Sequence, residues 1–416
     1  MQLKRYRQII ENFFSLSILN ALNVLLPLVT LPYILHTVGK ANYGAYSYVY
    51  VVLQYVILFS TYGFNFSATK QISQCRDNKE AVTRIYNAVI VCKSVIAVAL
   101  SALLLLFSRL VFKDEVGVLM FFYGLGMVIG DIFTPVWLFQ GMEKMKYMTI
   151  VNASSKILFT ILIFIFVRTS DDFQLLILLN SFGYILAGLL SLVLVHTQFK
   201  IRLHRTTVSD VVSQFKDGGA VFGSTFGMNL YRNANIIILK QFVSDDMVGI
   251  YSAAEKVIKG FQSIISPAAQ VLFPHMSHRF KGQPIKSNMR LLRKLALPFT
   301  AVVVLVAIGV YIFAPLISDI LCGSDMVATV PLIRIMTLVI LFGEINYLVG
   351  IVGLVNMSGQ AQFFRSVLVT GLFSVIFMLI CTPYWGITAA AWAMSLSEIL
   401  LFCLCLFSLY RINEQK

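Results

Sequence analysis

Residues 85–108 read IYNAVIVCKSVIAVALSALLLLFS, a stretch with a single charged side chain, Lys93. Its length matches the roughly 20 apolar residues that carry a helix across a bilayer core. Apolar side chains recur all round the helix, so no face is left polar for water, and the stretch reads as a transmembrane helix. Comparable runs fall at about 12–34, 43–66, 116–139, 150–167 and 173–197, and then at about 218–242, 247–273, 295–321, 327–353, 364–382 and 387–409. The fold class expected is therefore all-α: a polytopic membrane protein with about twelve spans in two six-helix lobes.

Composition agrees. Of 416 residues, 58% are hydrophobic and 12% charged, against roughly 45 to 50% and about 25% in soluble domains. The first run follows Lys4, Arg5 and Arg7 as a signal peptide would, but it is too long and lacks a small-residue cleavage site, so it is expected to stay as helix one. With the N-terminus placed inside, the inner segments hold 22 of the 33 Lys and Arg and the outer ones 4. Cytoplasmic loops carry that excess, so both termini are expected in the cytoplasm, and the net charge of +14 needs no nucleic acid to explain it.

Several chemistries are excluded. The six cysteines form no CxxC pair and the five histidines no ligand set, so neither a metal nor a cofactor is expected. The glycine-rich run at 218–225 lacks the lysine of a phosphate loop; Gly219, Gly223 and Gly227, like Gly126 and Gly130, read as sites of close helix packing. Outer connections of at most about eight residues leave little room for a catalytic centre, and the acidic pairs there, Asp114-Glu115, Asp171-Asp172 and Asp245-Asp246, read as solvated turns.

An even number of spans per half would place duplicated halves about a pseudo-two-fold axis along the membrane normal. Gly44-Ala45-Tyr46-Ser47 matches Gly249-Ile250-Tyr251-Ser252 at an offset of 205, and Gly130-Asp131 matches Gly343-Glu344 at 213. The lobes are expected over 1–205 and 206–416, with the basic stretch at about 198–217, holding Lys200, Arg202 and Arg205, lying along anionic headgroups as the linker.

Charges inside the bilayer are costly unless they face a cavity or a partner. Lys156, Lys240, Arg334 and Asp319 sit near span ends, where snorkelling accounts for them. Arg232, Lys256 and Lys259 fall mid-span; with Lys93 they are expected to line a central cavity suited to a pyrophosphate, whose oxygens Arg and Lys bind well. Glu255 stands four residues before Lys259, the favourable order for an intrahelical pair. Tyr231, Tyr251, Asn229, Asn233 and Asn235 could add sugar contacts. Asp131, Glu344 and Glu398, with Glu255, are candidates for coupling transport to a proton or sodium ion, since apolar surroundings oppose ionisation; a hydrogen-bonded packing role is the alternative. Asn20, Asn23, Pro27 and Pro32 mark helix one as a gating helix, because proline breaks a backbone hydrogen bond.

Three stretches carry a family resemblance. Leu25-Leu26-Pro27-Leu28-Val29-Thr30-Leu31-Pro32-Tyr33 with Gly39-Lys40-Ala41-Asn42-Tyr43-Gly44, Tyr62-Gly63-Phe64-Asn65-Phe66-Ser67-Ala68-Thr69, and Pro135-Val136-Trp137-Leu138-Phe139-Gln140-Gly141-Met142-Glu143-Lys144-Met145-Lys146-Tyr147 resemble bacterial O-antigen flippases. These belong to the multidrug, oligosaccharidyl-lipid and polysaccharide exporter superfamily. The resemblance implies an inner-membrane protein that turns an undecaprenyl-pyrophosphate-linked O-unit from the cytoplasmic to the periplasmic leaflet by alternating access, in company with other O-antigen assembly proteins. It carries no catalytic motif. A multidrug antiporter of the same superfamily is the first rival, although a cavity for organic cations should favour acidic residues; an O-antigen polymerase or ligase is the second.

Overall fold

The computed structural model describes residues 2–280, 283–357 and 359–414, apart from the side chains of 2–18, 20, 24, 220–221, 223–233, 267–275, 277–279 and 413–414. The described residues are nearly all helical. In chain order the α-helices are α1 (Gln2–Thr61), α2 (Phe64–Gln74), α3 (Lys79–Leu106), α4 (Ser108–Phe112), α5 (Glu115–Ile132), α6 (Val136–Gly141), α7 (Met145–Phe166) and α8 (Leu175–Gln198). They continue as α9 (Val208–Phe242), α10 (Asp245–Phe280), α11 (Ile285–Ile312), α12 (Ala314–Cys322), α13 (Thr329–Asn346), α14 (Gln360–Trp385) and α15 (Ile387–Glu414).

Among the described residues, nine helical stretches are long and apolar enough to cross a membrane, which makes this a multi-pass membrane protein. The first, Ala21–Gln74, runs through a break in α1 and takes in the second expected run whole and the first from residue 21 onward. The expected runs at 218–242 and 247–273 fall on α9 and α10, parts of which lie outside the described residues. Two other expected spans are interrupted: 116–139 by the turn between α5 and α6, and 295–321 by the one between α11 and α12. Proline explains both, since Pro135 caps α6 and Pro315 stands in the first turn of α12, positions a helix start tolerates and a helix interior does not.

Helix starts follow the side-chain oxygens. Asn78 accepts from Ala81 N, Asp114 from Gly117 N, and Thr169 forms a capping box with Asp172, each satisfying backbone donors that a first turn leaves open. Two of the acidic pairs are thus helix caps as well as turns. In the third, Asp245 pairs with Lys240.

The break in α1 is at Gly39, with φ 78 and ψ 168, a conformation a side chain would strain. Pro27 and Pro32 lie within α1, where the chain keeps helical dihedrals, and the non-helical break comes seven residues after Pro32. Past the break, α1 meets α10 at very short range. A Cβ on Gly44 would collide with the carbonyl of Asp245, and one on Gly249 with the carbonyl of Lys40. The offset of 205 that relates Gly44 to Gly249 also relates Lys40 to Asp245, so the contact maps onto itself under the internal repeat.

Two compact units emerge, residues 1–26 with 45–226 and residues 27–44 with 227–416. In the first, α8 packs against α5 and α7, and the short α2 packs on α6. Gly126 and Gly130 make the α5–α8 approach possible: a Cβ on Gly126 would stand 2.8 Å from the Ser181 Cβ, and one on Gly130 would strike the carbonyl of Tyr184. In the second, α13 packs against α10, α11 and α15, around a core that includes Met276, Leu292, Leu348, Val352 and Cys405. Side chains such as Leu106, Leu305 and Leu372 stay exposed in both, as lipid-facing residues do.

Candidate functional site

In the first unit the mid-span charges meet. Lys93 on α3 and Asp131 on α5 are 38 residues apart in sequence; the ammonium lies 2.8 Å from Asp131 Oδ2 and 2.7 Å from its carbonyl oxygen. Lys93 is 3% exposed, so the pair is removed from solvent on the lysine side. Near it, the amide of Gln54 donates to Tyr184 Oη at 3.2 Å, and Asn180 donates to Tyr46 Oη at 2.9 Å. Tyr46, Tyr50 and Gln54 are spaced by four along α1, one helix face. That periodicity is the signal by which the cluster could have been found.

The second unit contains a cavity of about 420 Å³. From α10 it takes Lys259, Gln262, Ser263 and Ser266, which recur at helical spacing on one face. From α13 come Gly343, Glu344 and Asn346, and from α15 Glu398. Between α13 and α14 the chain widens into a π-helix, Tyr347–Val355, and its Tyr347 and Ile351 complete that wall. π-Turns of this kind recur at functional sites.

Both carboxylates are buried, Glu344 at 4% exposure and Glu398 at 2%. The Ser266 hydroxyl donates to Glu344 Oε1 at 2.7 Å, and the Asn346 amide donates to Glu398 Oε2 at 2.7 Å and to the Glu398 carbonyl at 2.8 Å. Asn346 Oδ1, also buried, has no hydrogen-bond partner among the described residues. Gly343 makes room for Gln262, whose Nε2 a Cβ would approach to 2.5 Å and which donates to the Val339 carbonyl. The wall therefore gathers two carboxylates, a serine hydroxyl and an unfilled amide oxygen, a donor set for a proton or a small hard cation. Among the described residues, no three His, Cys, Asp or Glu side chains gather as a metal site.

Of the expected cations, Lys259 lines this same cavity and forms the intrahelical pair with Glu255 at 3.0 Å, with Glu255 buried and the Lys259 side chain 41% exposed. The Lys256 ammonium stands 5.7 Å from the centre of the Tyr43 ring, within range of a cation–π attraction. Asn235 donates to Tyr251 Oη at 3.0 Å, both buried; packed together, they leave no face for a sugar. Of the expected gating residues, Asn23 is exposed and Pro27 and Pro32 are half-buried, while the side chain of Asn20 lies outside the described residues. So do the side chains of Arg232, Asn229, Tyr231 and Asn233. Sequence reasoning missed Gln262, Ser266 and Asn346, ordinary polar residues; the helix face common to Lys259, Gln262, Ser263 and Ser266 would have singled out the first two, and nothing in the sequence marks Asn346.

Known proteins resemble this chain in sequence and in fold. The family model described as polysaccharide biosynthesis protein matches residues 9–280. An Escherichia coli (strain K12) protein carrying the name O-antigen transporter is 28% identical over 402 residues, 95% of each chain. One of the same name from Shigella dysenteriae is 24% identical over 315 residues, 76% of this chain and 78% of that one. Among solved structures, lipid II flippase MurJ in an inward closed conformation has a similar fold, with a TM-score of 0.79 at 13% identity, covering 97% of this chain and 90% of that one. The inward-facing form of a multidrug resistance MATE family transporter of the MOP superfamily gives 0.74 at 10%, covering 93% and 98%.

Proposed function

The chain belongs to the polysaccharide biosynthesis protein family, and from that premise we propose that it is a flippase for a lipid-linked oligosaccharide. The substrate is an undecaprenyl-pyrophosphate-linked O-antigen repeat unit, turned from the cytoplasmic to the periplasmic leaflet of the inner membrane by alternating access of two lobes. The observation that carries this reading is the match, over 95% of both chains, to a protein named as an O-antigen transporter. Arg232, Lys256 and Lys259 supply cationic groups for the pyrophosphate.

Coupling to an ion resides in the second unit. Glu344 and Glu398, with the Asn346 and Ser266 oxygens, take up a proton or sodium ion, and protein charges inside a membrane commonly mark such pathways. The Lys93–Asp131 pair is structural, each charge stabilised by the other.

Deleting the gene and extracting both surface lipopolysaccharide and lipid-linked intermediates tests the reading. A lost O-antigen ladder, with complete O-units accumulating on their carrier lipid and reversal on complementation, is the expected result. A ladder cut to a single repeat would assign polymerisation instead, and an intact ladder with new drug sensitivity would assign multidrug export.

A further inference from the structure

At one end of the first unit, where α3 begins and α8 ends, a pocket of about 520 Å³ is lined by Lys79, Thr83, His196, Lys200, Arg202 and His204. No carboxylate among the described residues lines it. We propose that this pocket binds the phosphate headgroup of an anionic phospholipid, at a site separate from the oligosaccharide pathway.

The backbone holds the cations in place. Asn87, buried on α3, donates to the carbonyl of Arg202 at 3.2 Å and accepts from His204 N at 2.9 Å, so one side chain fastens the segment after α8 to the helix that bears Lys79 and Thr83. Lys79, Thr83 and Asn87 recur every four residues, one face of α3. On the other side, Phe199 is buried beneath the Lys144 ammonium, and Gln198 accepts from Tyr147 Oη at 3.1 Å. Between these anchors Lys200 is held at φ 56. That is the left-handed residue with which α8 ends, Ile201 N donating to the Val195 carbonyl at 3.2 Å, so the helix terminus fixes where the Lys200 side chain leaves the backbone.

The neighbouring surface selects a lipid over a soluble phosphate. Leu189, Val193 and His196 follow one face of α8, and Leu189 and Val193 are 56% and 58% exposed. An apolar strip thus leads directly to a basic pocket, which suits a ligand with an acyl chain beside an anionic head. Leu203, between Arg202 and His204, is 57% exposed as well. Lys and Arg at a membrane surface attract anionic lipid electrostatically, and guanidinium and ammonium groups hold phosphate oxygens by charge-assisted hydrogen bonds.

The test is native mass spectrometry of the full-length protein in detergent, titrated with phosphatidylglycerol or with phosphatidylcholine of the same acyl chains. Wild type should retain phosphatidylglycerol at least tenfold more tightly, and Lys79→Gln/Lys200→Gln/Arg202→Gln should abolish that preference. Lys286→Gln/Arg290→Gln/Arg293→Gln, which removes as much charge elsewhere, should keep it. Asn87→Ala, which removes the fastening and no charge, should weaken retention about threefold. Equal loss in both triple variants, or none in the first, overturns the proposal. Binding of inorganic pyrophosphate that depends on the three lining cations, without any preference for phosphatidylglycerol, would also overturn it and assign the pocket to a soluble phosphate.

Discussion

Asp131 and Glu344, each preceded by a glycine and matched in sequence at an offset of 213, are used differently by the two units. Asp131 is answered by the Lys93 ammonium at 2.8 Å and again through its own carbonyl. Glu344 accepts from a serine hydroxyl and opens on a cavity of about 420 Å³ shared with Glu398. The glycines differ too: Gly130 lets α5 meet the backbone of α8, whereas Gly343 makes room for the side chain of Gln262. A duplicated position thus yields a clamp in one unit and, in our reading, a working site in the other. What decides between them is the partner that the neighbouring helix supplies.

The largest effect expected from breaking this contrast is in the clamp. Asp131→Asn leaves the buried Lys93 ammonium its main-chain acceptor but removes its countercharge, and loss of one partner of such a pair costs about 3–5 kcal/mol. The purified variant should melt far below wild type, while Lys93→Met/Asp131→Leu recovers most of the loss because no charge remains to be stabilised. A double-mutant cycle on Tm measures the coupling. If the single variant melts like wild type, the clamp reading fails.

The helix crossing should respond next. Gly249→Ala places a methyl group on the Lys40 carbonyl, and overpacking of this kind costs about 1–3 kcal/mol. Gly44→Ala should cost a similar amount, because the contact repeats itself under the 205 offset. Unequal effects on Tm would show that the crossing is less symmetric than its atoms.

The cavity should tolerate what the clamp does not. Ser266→Ala removes one hydrogen bond to Glu344, and such bonds within membrane bundles average about 0.6 kcal/mol. Tm should hardly move while O-unit export falls. Smallest of all is Arg76→Ala: its ion pair with Glu143 has side chains 34% and 51% exposed, and surface pairs contribute about 0–1 kcal/mol. Export should be unchanged and Tm should fall only slightly, and a large loss of export would give Arg76 a role beyond its bonds to Glu143 and to the Gly141 carbonyl.

Much of this was legible before folding was considered. Apolar length alone identifies a run such as 85–108 as a span, because backbone amides in lipid must bond within their own segment. Glu255 and Lys259 declare their pairing through spacing along one helix, whereas the Gly-x-Tyr-Ser pattern shared by Gly44 and Gly249 points to a repeat and says nothing of their contact. Lys93 and Asp131 could not, since 38 residues separate them and helix packing alone brings them together. Sequence alone therefore gives each a separate task, one toward substrate and one toward coupling. Pro27 and Pro32 announce a lost hydrogen bond in α1, whereas nothing around Gly39 announces the dihedral break there, at a φ that favours glycine. Gln262, Ser266 and Asn346 escaped notice because uncharged polar residues stand out only once three helices are seen to face one space.

The most direct test of this division of labour is to measure appearance of lipid-linked O-unit in the outer leaflet of spheroplasts carrying Glu344→Gln or Lys93→Met/Asp131→Leu, at matched protein level, with and without an imposed ion gradient. Glu344→Gln should insert and melt normally yet lose at least tenfold in rate together with its response to the gradient, while the double variant keeps both. Loss of gradient response in the double variant, with Glu344→Gln unaffected, would contradict the assignment and move the coupling site to the first unit.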